Sequence, residues 1–331
     1  MFQQKDLNKI EKGETVDHFL LIKKSELRLT KANKQYLFLE LGDKSLTLNA
    51  NVWDNFENIY KQVVPGNVVK VSGTMDEYQG TPQLKISSVR NLKPSENVSA
   101  ADFLPKSARD INVMKKEFFS RLDKISDSYL NTLMKRIFNE ENFEKFSTAP
   151  AGKSWHHSYI HGLIEHTLEI IRICDLMCDI HPEINRDLLI CGAMLHDFGK
   201  TQELSFDSSF DYTDTGKLIG HIVISAMFIN EEIKNINGFP AALRDCLIHL
   251  ILSHQGKLEY ASPVVPKTLE AITLYQADEL SAKVNAYKNA LLAGTSTENK
   301  WTKYLNLAST DLYNHGLSYG MEGEISKTLF D

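Results

Sequence analysis

The stretch DLLICGAMLHDFGKTQEL, residues 187–204, decides how this chain is read. Its first ten positions are nearly all apolar, so the helix they form is enclosed by protein on every side. The helix then delivers His196 and Asp197 side by side, and Gly199 is the expected helix stop. Carrying an imidazole and a carboxylate into an apolar interior is costly unless a partner satisfies them. A divalent metal ion is the natural partner.

Other segments supply matching ligands. His166 falls on the register Leu163, His166, Ile170, Ile173, Met177, an apolar face at helical spacing. His254 continues Leu243, Leu247 and Leu250, again an inward face, whereas His249 sits nearly opposite that line. His221 follows Gly220 at the start of the apolar helix HIVISAMFI, and Asp278 lies between apolar turns in LYQADELSAKVNAY. Of 11 histidines, nine lie between His156 and His254, which concentrates metal or acid–base chemistry in that stretch.

An early His, a His-Asp pair and a late Asp on separate helices resemble the HD superfamily of metal-dependent phosphohydrolases. That resemblance implies one metal held by His166, His196, Asp197 and Asp278. His221 and His254 match the additional histidines of binuclear members, with Asp197 as the bridge. Two cations lower the pKa of a bridging water and neutralise charge as a phosphodiester is attacked. Mixed imidazole and carboxylate ligands suit Mn, Fe, Co, Ni or Zn better than Ca, and Mg remains open. Lys200 reads either as a catalytic group holding a phosphate oxygen or as a solvated helix-end lysine. His156 and His157, in SWHHSYIHGLIEH, contact substrate phosphate, support the metal shell, or serve as caps and core hydrogen-bonding groups. Tyr212 and Lys217 lie in a polar loop before His221 and are candidates to line a substrate channel.

The first 92 residues read differently. VDHFLLIKKSELRLT (16–30), KQYLFLELGD (34–43) and KSLTLNANVW (44–53) are β-rich, with a turn at Gly42-Asp43. DNFENIYKQV (54–63) reads as a short helix before Pro65-Gly66, and two more strands follow at 67–75 and 82–90. Five strands with a helix between the third and fourth match an OB-fold barrel. Residues 93–110, polar with two prolines, read as a linker, and from about residue 111 the periodicity is helical. The expected architecture is multidomain β plus all-α: an OB-fold nucleic-acid-binding domain over 1–92, a linker over 93–110, a helical HD domain over 111–313 and a tail over 314–331 with no assignable motif.

OB barrels hold single strands by stacking bases on exposed aromatics along a basic groove. Tyr36 and Phe38 alternate along the second strand and share a face, which is either exposed or the barrel interior. Core packing is the better reading for Phe38, and both roles stay open for Tyr36 and for Tyr78 in the last loop. Trp53 ends the third strand, and Lys23, Lys24, Arg28, Lys31 and Lys34 surround the first hairpin.

An OB-like domain followed by an HD domain resembles the YhaM family of bacterial 3′–5′ exoribonucleases. The segments that carry the resemblance are HHSYIHGLIEHTLEI, LLICGAMLHDFGKTQELS, GKLIGHIVIS, LILSHQGKLEYASPVVPKTLEA and ADELSAKVN. The family implies a metal-dependent enzyme, usually Mn-supported, that trims single-stranded RNA from the 3′ end by hydroxide attack on the phosphodiester. Nucleoside 5′-monophosphates are released, with some action on single-stranded DNA. Gln255 departs from the His doublet the family has there, which weakens the second metal site but retains His254. The alternative from the same residues is an HD phosphohydrolase of small nucleotides or cyclic dinucleotides with a regulatory barrel.

Composition narrows the setting. No run of about 18 apolar residues occurs, so no membrane-spanning helix is expected. The opening MFQQKDLNKIEKGE has no apolar signal core, and Cys174, Cys178, Cys191 and Cys246 read as reduced core thiols. A cytoplasmic protein follows, with no membrane partner. Assembly as a homo-oligomer fits an exonuclease of this type.

Overall fold

The computed structural model describes residues 4–78, 81–206, 209–294 and 300–316. The expected tail over 314–331 therefore lies outside the described residues from 317 onward.

Strands β1 (Thr15–Leu29), β2 (Gln35–Gly42), β3 (Thr47–Val52), β4 (Val68–Tyr78) and β5 (Thr81–Asn91) close into a barrel in the order β1-β2-β3-β5-β4. Helix α1 (Phe56–Tyr60) lies between β3 and β4. The Gly42-Asp43 turn is held by one buried carboxylate. Asp43 Oδ1 accepts from the backbone N–H of Ser45 at 2.8 Å and of Leu46 at 2.9 Å, and its Oδ2 accepts from that of Leu7 at 2.8 Å.

Alternation places Leu37, Leu39 and Leu41 of β2 inside, with Leu48, Ala50, Val69, Val71 and Leu84 from the other strands. The opposite parity puts Tyr36 and Phe38 outside. Core packing for Phe38 is thus corrected. Its ring is buried, but on the outer face beneath the Arg28 guanidinium, 3.5 Å from the ring centroid. A cation over an aromatic face, not barrel filling, removes it from water.

Residues 93–110 connect the barrel to the helical region, and part of the segment is seated on both. A short turn at Ala100–Phe103 drives Phe103 and Leu104 into a cluster with Leu21 and Val68 of the barrel and Ile160 of the helical region. Two apolar side chains buried at about 1.5–3 kcal/mol each are enough to seat the connection between the two units.

Ten helices follow among the described residues: α2 (Ile111–Leu122), α3 (Ser128–Ile137), α4 (Glu140–Thr148), α5 (Gly162–Ile180), α6 (Arg186–Leu195), α7 (Lys200–Glu203), α8 (Asp214–Ile219), α9 (His221–Lys234), α10 (Ala241–Ser253) and α11 (Leu269–Gly294). Asp110, Asp127, Asn139, Asn185 and Thr213 cap α2, α3, α4, α6 and α8 through side-chain oxygens. A two-residue strand pair, β6 (Leu204–Ser205) with β7 (Asp211–Tyr212), interrupts the helical run. Every residue of α6 from Leu188 to Leu195 is buried, and α5, α10 and α11 pack around it. No helix among the described residues is long and apolar enough to cross a membrane.

Candidate metal centre

Helix α6 ends at Leu195, and the next three residues split between core and site. Phe198 turns into an aromatic cluster, stacked at 16° on Phe228 with centroids 5.0 Å apart and edge-on to Phe138. That anchor leaves His196 and Asp197, both buried, facing the gap between α5, α9, α10 and α11. Gly199 does not stop the helix by a left-handed turn, because its φ is −60°. Its role is closeness: a Cβ there would lie 2.3 Å from the carbonyl oxygen of His221. A glycine is what lets the start of α9 approach the His-Asp pair.

Two groups of ligand atoms, each within 4.8 Å of one another, share Asp197: His166, His196 and Asp197, and Asp197, His221 and His254. The carboxylate divides its oxygens between them. Oδ2 lies 3.2 Å from His196 Nε2 and 3.9 Å from His166 Nε2. Oδ1 lies 3.3 Å from His221 Nε2 and 3.6 Å from His254 Nε2. Asp278 joins the first group, its Oδ1 3.0 Å from His166 Nε2. All six residues proposed from the sequence as ligands are thus brought together around Asp197.

The second ring nitrogens are spoken for. His196 Nδ1 donates to the Ala193 carbonyl at 2.8 Å, His254 Nδ1 to the Ile251 carbonyl at 2.7 Å, and His221 Nδ1 to the Glu203 carboxylate at 2.9 Å. An imidazole that donates through Nδ1 keeps Nε2 as a lone-pair ligand. His196 Nε2, His221 Nε2 and Asp197 Oδ1 are buried without a hydrogen-bond partner. Orphaned buried acceptors gathered on the two sides of one carboxylate fit divalent cations.

Electrostatics agree with that reading. Burial works against the Asp197 carboxylate, but Lys200 and the neighbouring histidines hold it well below the usual carboxylate range. Burial also opposes Asp278, and His166 and His196 draw it down. Burial pushes the imidazoles of His166 and His254 below their ordinary value.

Other sequence candidates fall in different places. Lys200 is buried, not solvated, and is committed to Asp197 Oδ2 at 2.6 Å and the Ala151 carbonyl at 2.5 Å. It neutralises the shared carboxylate instead of standing free to take a phosphate. His156 lies with its ring centroid 4.8 Å from that of His166, and both its nitrogens lack a hydrogen-bond partner. His157 is fully buried, takes a left-handed φ of 43°, and donates its backbone N–H to Asn285 Oδ1 at 2.9 Å. Tyr212 and Lys217 are exposed on β7 and α8. His249 accepts from the Lys267 backbone N–H at 3.0 Å, away from the ligand groups. Sequence reasoning missed Glu203, Ser281 and Glu169, which touch ligands or their partners. All three lie inside segments quoted above, Glu203 at the end of 187–204, Glu169 three residues after His166 and Ser281 three after Asp278, so what the sequence hid was their pairing with distant residues.

On the barrel, Tyr36 stacks on Trp53 at 4.5 Å between centroids and 28° between planes. Beside them is the Arg28–Phe38 pair, and Tyr78 is exposed on β4. Such faces are suited to stacking bases.

Comparison with known proteins adds the family. Residues 163–283 match the HD domain family, and residues 22–92 match an OB-fold nucleic acid binding domain. The 3′-5′ exoribonuclease YhaM of Oceanobacillus iheyensis is 35% identical over 281 residues, covering 84% of this chain and 87% of that protein. The chain belongs to the YhaM family. YhaM of Bacillus subtilis is 34% identical, over 85% of this chain and 89% of its own length. YhaM of Listeria innocua is 34% identical, over 87% and 91%. The family match thus spans barrel and helical region together, and its HD segment contains all six residues around Asp197.

Proposed function

We propose that the chain is a metal-dependent 3′–5′ exoribonuclease that shortens single-stranded RNA and releases nucleoside 5′-monophosphates. The observation that carries it is the convergence of four Nε2 atoms on the two oxygens of Asp197, in a chain of the YhaM family whose barrel presents an aromatic face. Hydrolysis adds a water oxygen to phosphorus, breaks the bond to O3′, and leaves the shortened strand with a 3′-hydroxyl. The bound cation supplies Lewis-acid polarisation of the phosphate and a more acidic water.

The chain's own residues do the rest. His166, His196, Asp197 and Asp278 hold one ion, and Asp197, His221 and His254 hold a second. The even division of the Asp197 oxygens supports two ions, the mixed nitrogen and oxygen ligands suit Mn, Fe, Co, Ni or Zn, with Mg a further candidate, and the family resemblance favours Mn²⁺ among them. Lys200 keeps Asp197 ionised. His156, with two unpartnered nitrogens beside His166, donates to a phosphate oxygen, and His157 lies edge-on to it with ring centroids 5.9 Å apart. Tyr36 and Trp53 hold the strand by stacking, with the Arg28 guanidinium that covers Phe38 beside them, Tyr78 at the rim and Tyr212 and Lys217 on the approach. A stacking face is tolerant of sugar, which extends the substrate to single-stranded DNA. Four unpaired cysteines suit a reducing compartment, the cytoplasm. Leu280 and Val284, exposed on α11, offer apolar surface for a homo-oligomer.

The test is a 5′-labelled single-stranded RNA incubated with Mn²⁺ or with EDTA beside the Asp197→Ala protein. A ladder shortening from the 3′ end, dependent on metal and absent in the variant, is the expected result. Intact RNA together with turnover of small nucleotides or cyclic dinucleotides would overturn it.

A further inference from the structure

Three of the four ligand histidines have a Nδ1 partner that can only accept: two backbone carbonyls and the Glu203 carboxylate. The fourth, His166, has a hydroxyl. Its Nδ1 lies 3.0 Å from Ser281 Oγ, and a hydroxyl either donates or accepts. Left alone, Ser281 could donate its proton to Nδ1 and so place the ring hydrogen on Nε2, where Asp278 Oδ1 at 3.0 Å would accept it and where the cation must bind.

A further contact removes that choice. Ser281 Oγ lies 2.7 Å from Glu169 Oε2, and a carboxylate only accepts. The single Ser281 proton is therefore spent on Glu169, and the lone pair of Oγ takes the hydrogen from His166 Nδ1. Glu169 is itself braced by His157, whose Nε2 is 3.3 Å from the same oxygen. Ser281 is buried, and it stands one turn after Asp278 on α11. One helix face thus supplies a proposed ligand and the group that orients another.

We propose that Ser281 and Glu169 are a positioning pair that keeps Nε2 of His166 free for the divalent cation. The inference rests on the metal reading of the site. It concerns residues that touch neither substrate nor the reacting atoms, so metal affinity is the informative readout. Outer-sphere partners of this kind change affinity by about 10–100-fold when removed.

The experiment is calorimetric titration of Mn²⁺ into the full-length wild type, Ser281→Ala and Glu169→Gln, with thermal unfolding of each in EDTA. Glu169 is partly exposed, so Glu169→Gln carries the test if Ser281→Ala does not fold. A loss of about 10–100-fold in Mn²⁺ affinity, with RNA cleavage restored by excess Mn²⁺, is expected for Ser281→Ala, and a loss in the same direction for Glu169→Gln. Unchanged Mn²⁺ affinity in a folded variant, with only a lower melting temperature, would show a structural role and overturn the proposal. A wild type that binds no Mn²⁺ would instead sink the metal reading beneath it.

Discussion

Glu203 grips His221 twice: one carboxylate oxygen accepts both the backbone N–H and the ring Nδ1–H, each at 2.9 Å. Burial works against that carboxylate, and His221 pulls it below the ordinary range. The start of α9 and the orientation of its first side chain are thereby set together. Replacing Glu203 with Ala is expected to weaken Mn²⁺ binding by about 10–100-fold, read by calorimetry, while the barrel's affinity for RNA stays unchanged.

Asp197 and Lys200 are a buried ion pair as well as part of the site. Asp197→Ala is expected to abolish RNA cleavage and to leave the Lys200 ammonium without its partner. Stranding one member of a buried pair costs about 3–5 kcal/mol. The double variant Asp197→Ala, Lys200→Met is expected to regain most of that stability in chemical denaturation and none of the cleavage. A double variant as unstable as Asp197→Ala alone would refute the pairing.

The Tyr36–Trp53 stack and the Arg28–Phe38 pair lie on the barrel, on a different unit from the ligand groups. Tyr36→Ala and Trp53→Ala are each expected to weaken single-stranded RNA binding by about 1–3 kcal/mol. Hydrolysis of a small phosphodiester should be unaffected. Fluorescence anisotropy with a labelled RNA and a chromogenic phosphodiester assay separate the two effects.

Gly199→Ala puts a methyl group 2.3 Å from the His221 carbonyl. The backbone of α9 must move, at a cost of about 1–3 kcal/mol. Mn²⁺ affinity is expected to fall with stability, since His221 is the residue displaced. Denaturation and Mn²⁺ titration of the same sample check both.

The His196 imidazole is expected to make ion uptake depend on pH. Burial disfavours its charged form, but the Asp197 carboxylate outweighs burial and raises it above its ordinary value of 6.5. The charged form is favoured by folding. Its stabilisation is complete below 6.5 and is lost as pH rises through the raised value. A cation at Nε2 takes the place of that proton. As pH rises from 6.5 through the raised value, Mn²⁺ affinity is expected to rise while the melting temperature in EDTA falls. Flat Mn²⁺ affinity across this interval would contradict the assignment.

The strands and helices were legible because their patterns are local. Leu163, His166, Ile170 and Ile173 share a helix face whatever surrounds them, so a histidine interrupting that face stands out. The same holds for Asp278 and His254. Phe38 was misread for a reason equally physical. Alternation states that Tyr36 and Phe38 share a face, and only pairing with β1 and β3 decides which face is the interior. Within 93–110, composition did not reveal that Phe103 and Leu104 seat the connection, since two apolar side chains are lost among polar neighbours.

What the sequence alone determined is the order of the parts, the barrel-then-helices architecture, and the histidines and carboxylates that meet around Asp197. Those follow from periodicity and from polar residues on apolar faces, which are properties of neighbouring positions. What only the tertiary structure decided is how the ligands are held. Glu203 lies 18 residues from His221, and Ser281 lies 115 from His166. A hydrogen bond acts over about 3 Å of space, whatever the separation along the chain. The partner that sets a ring's free nitrogen is therefore invisible until the helices have packed.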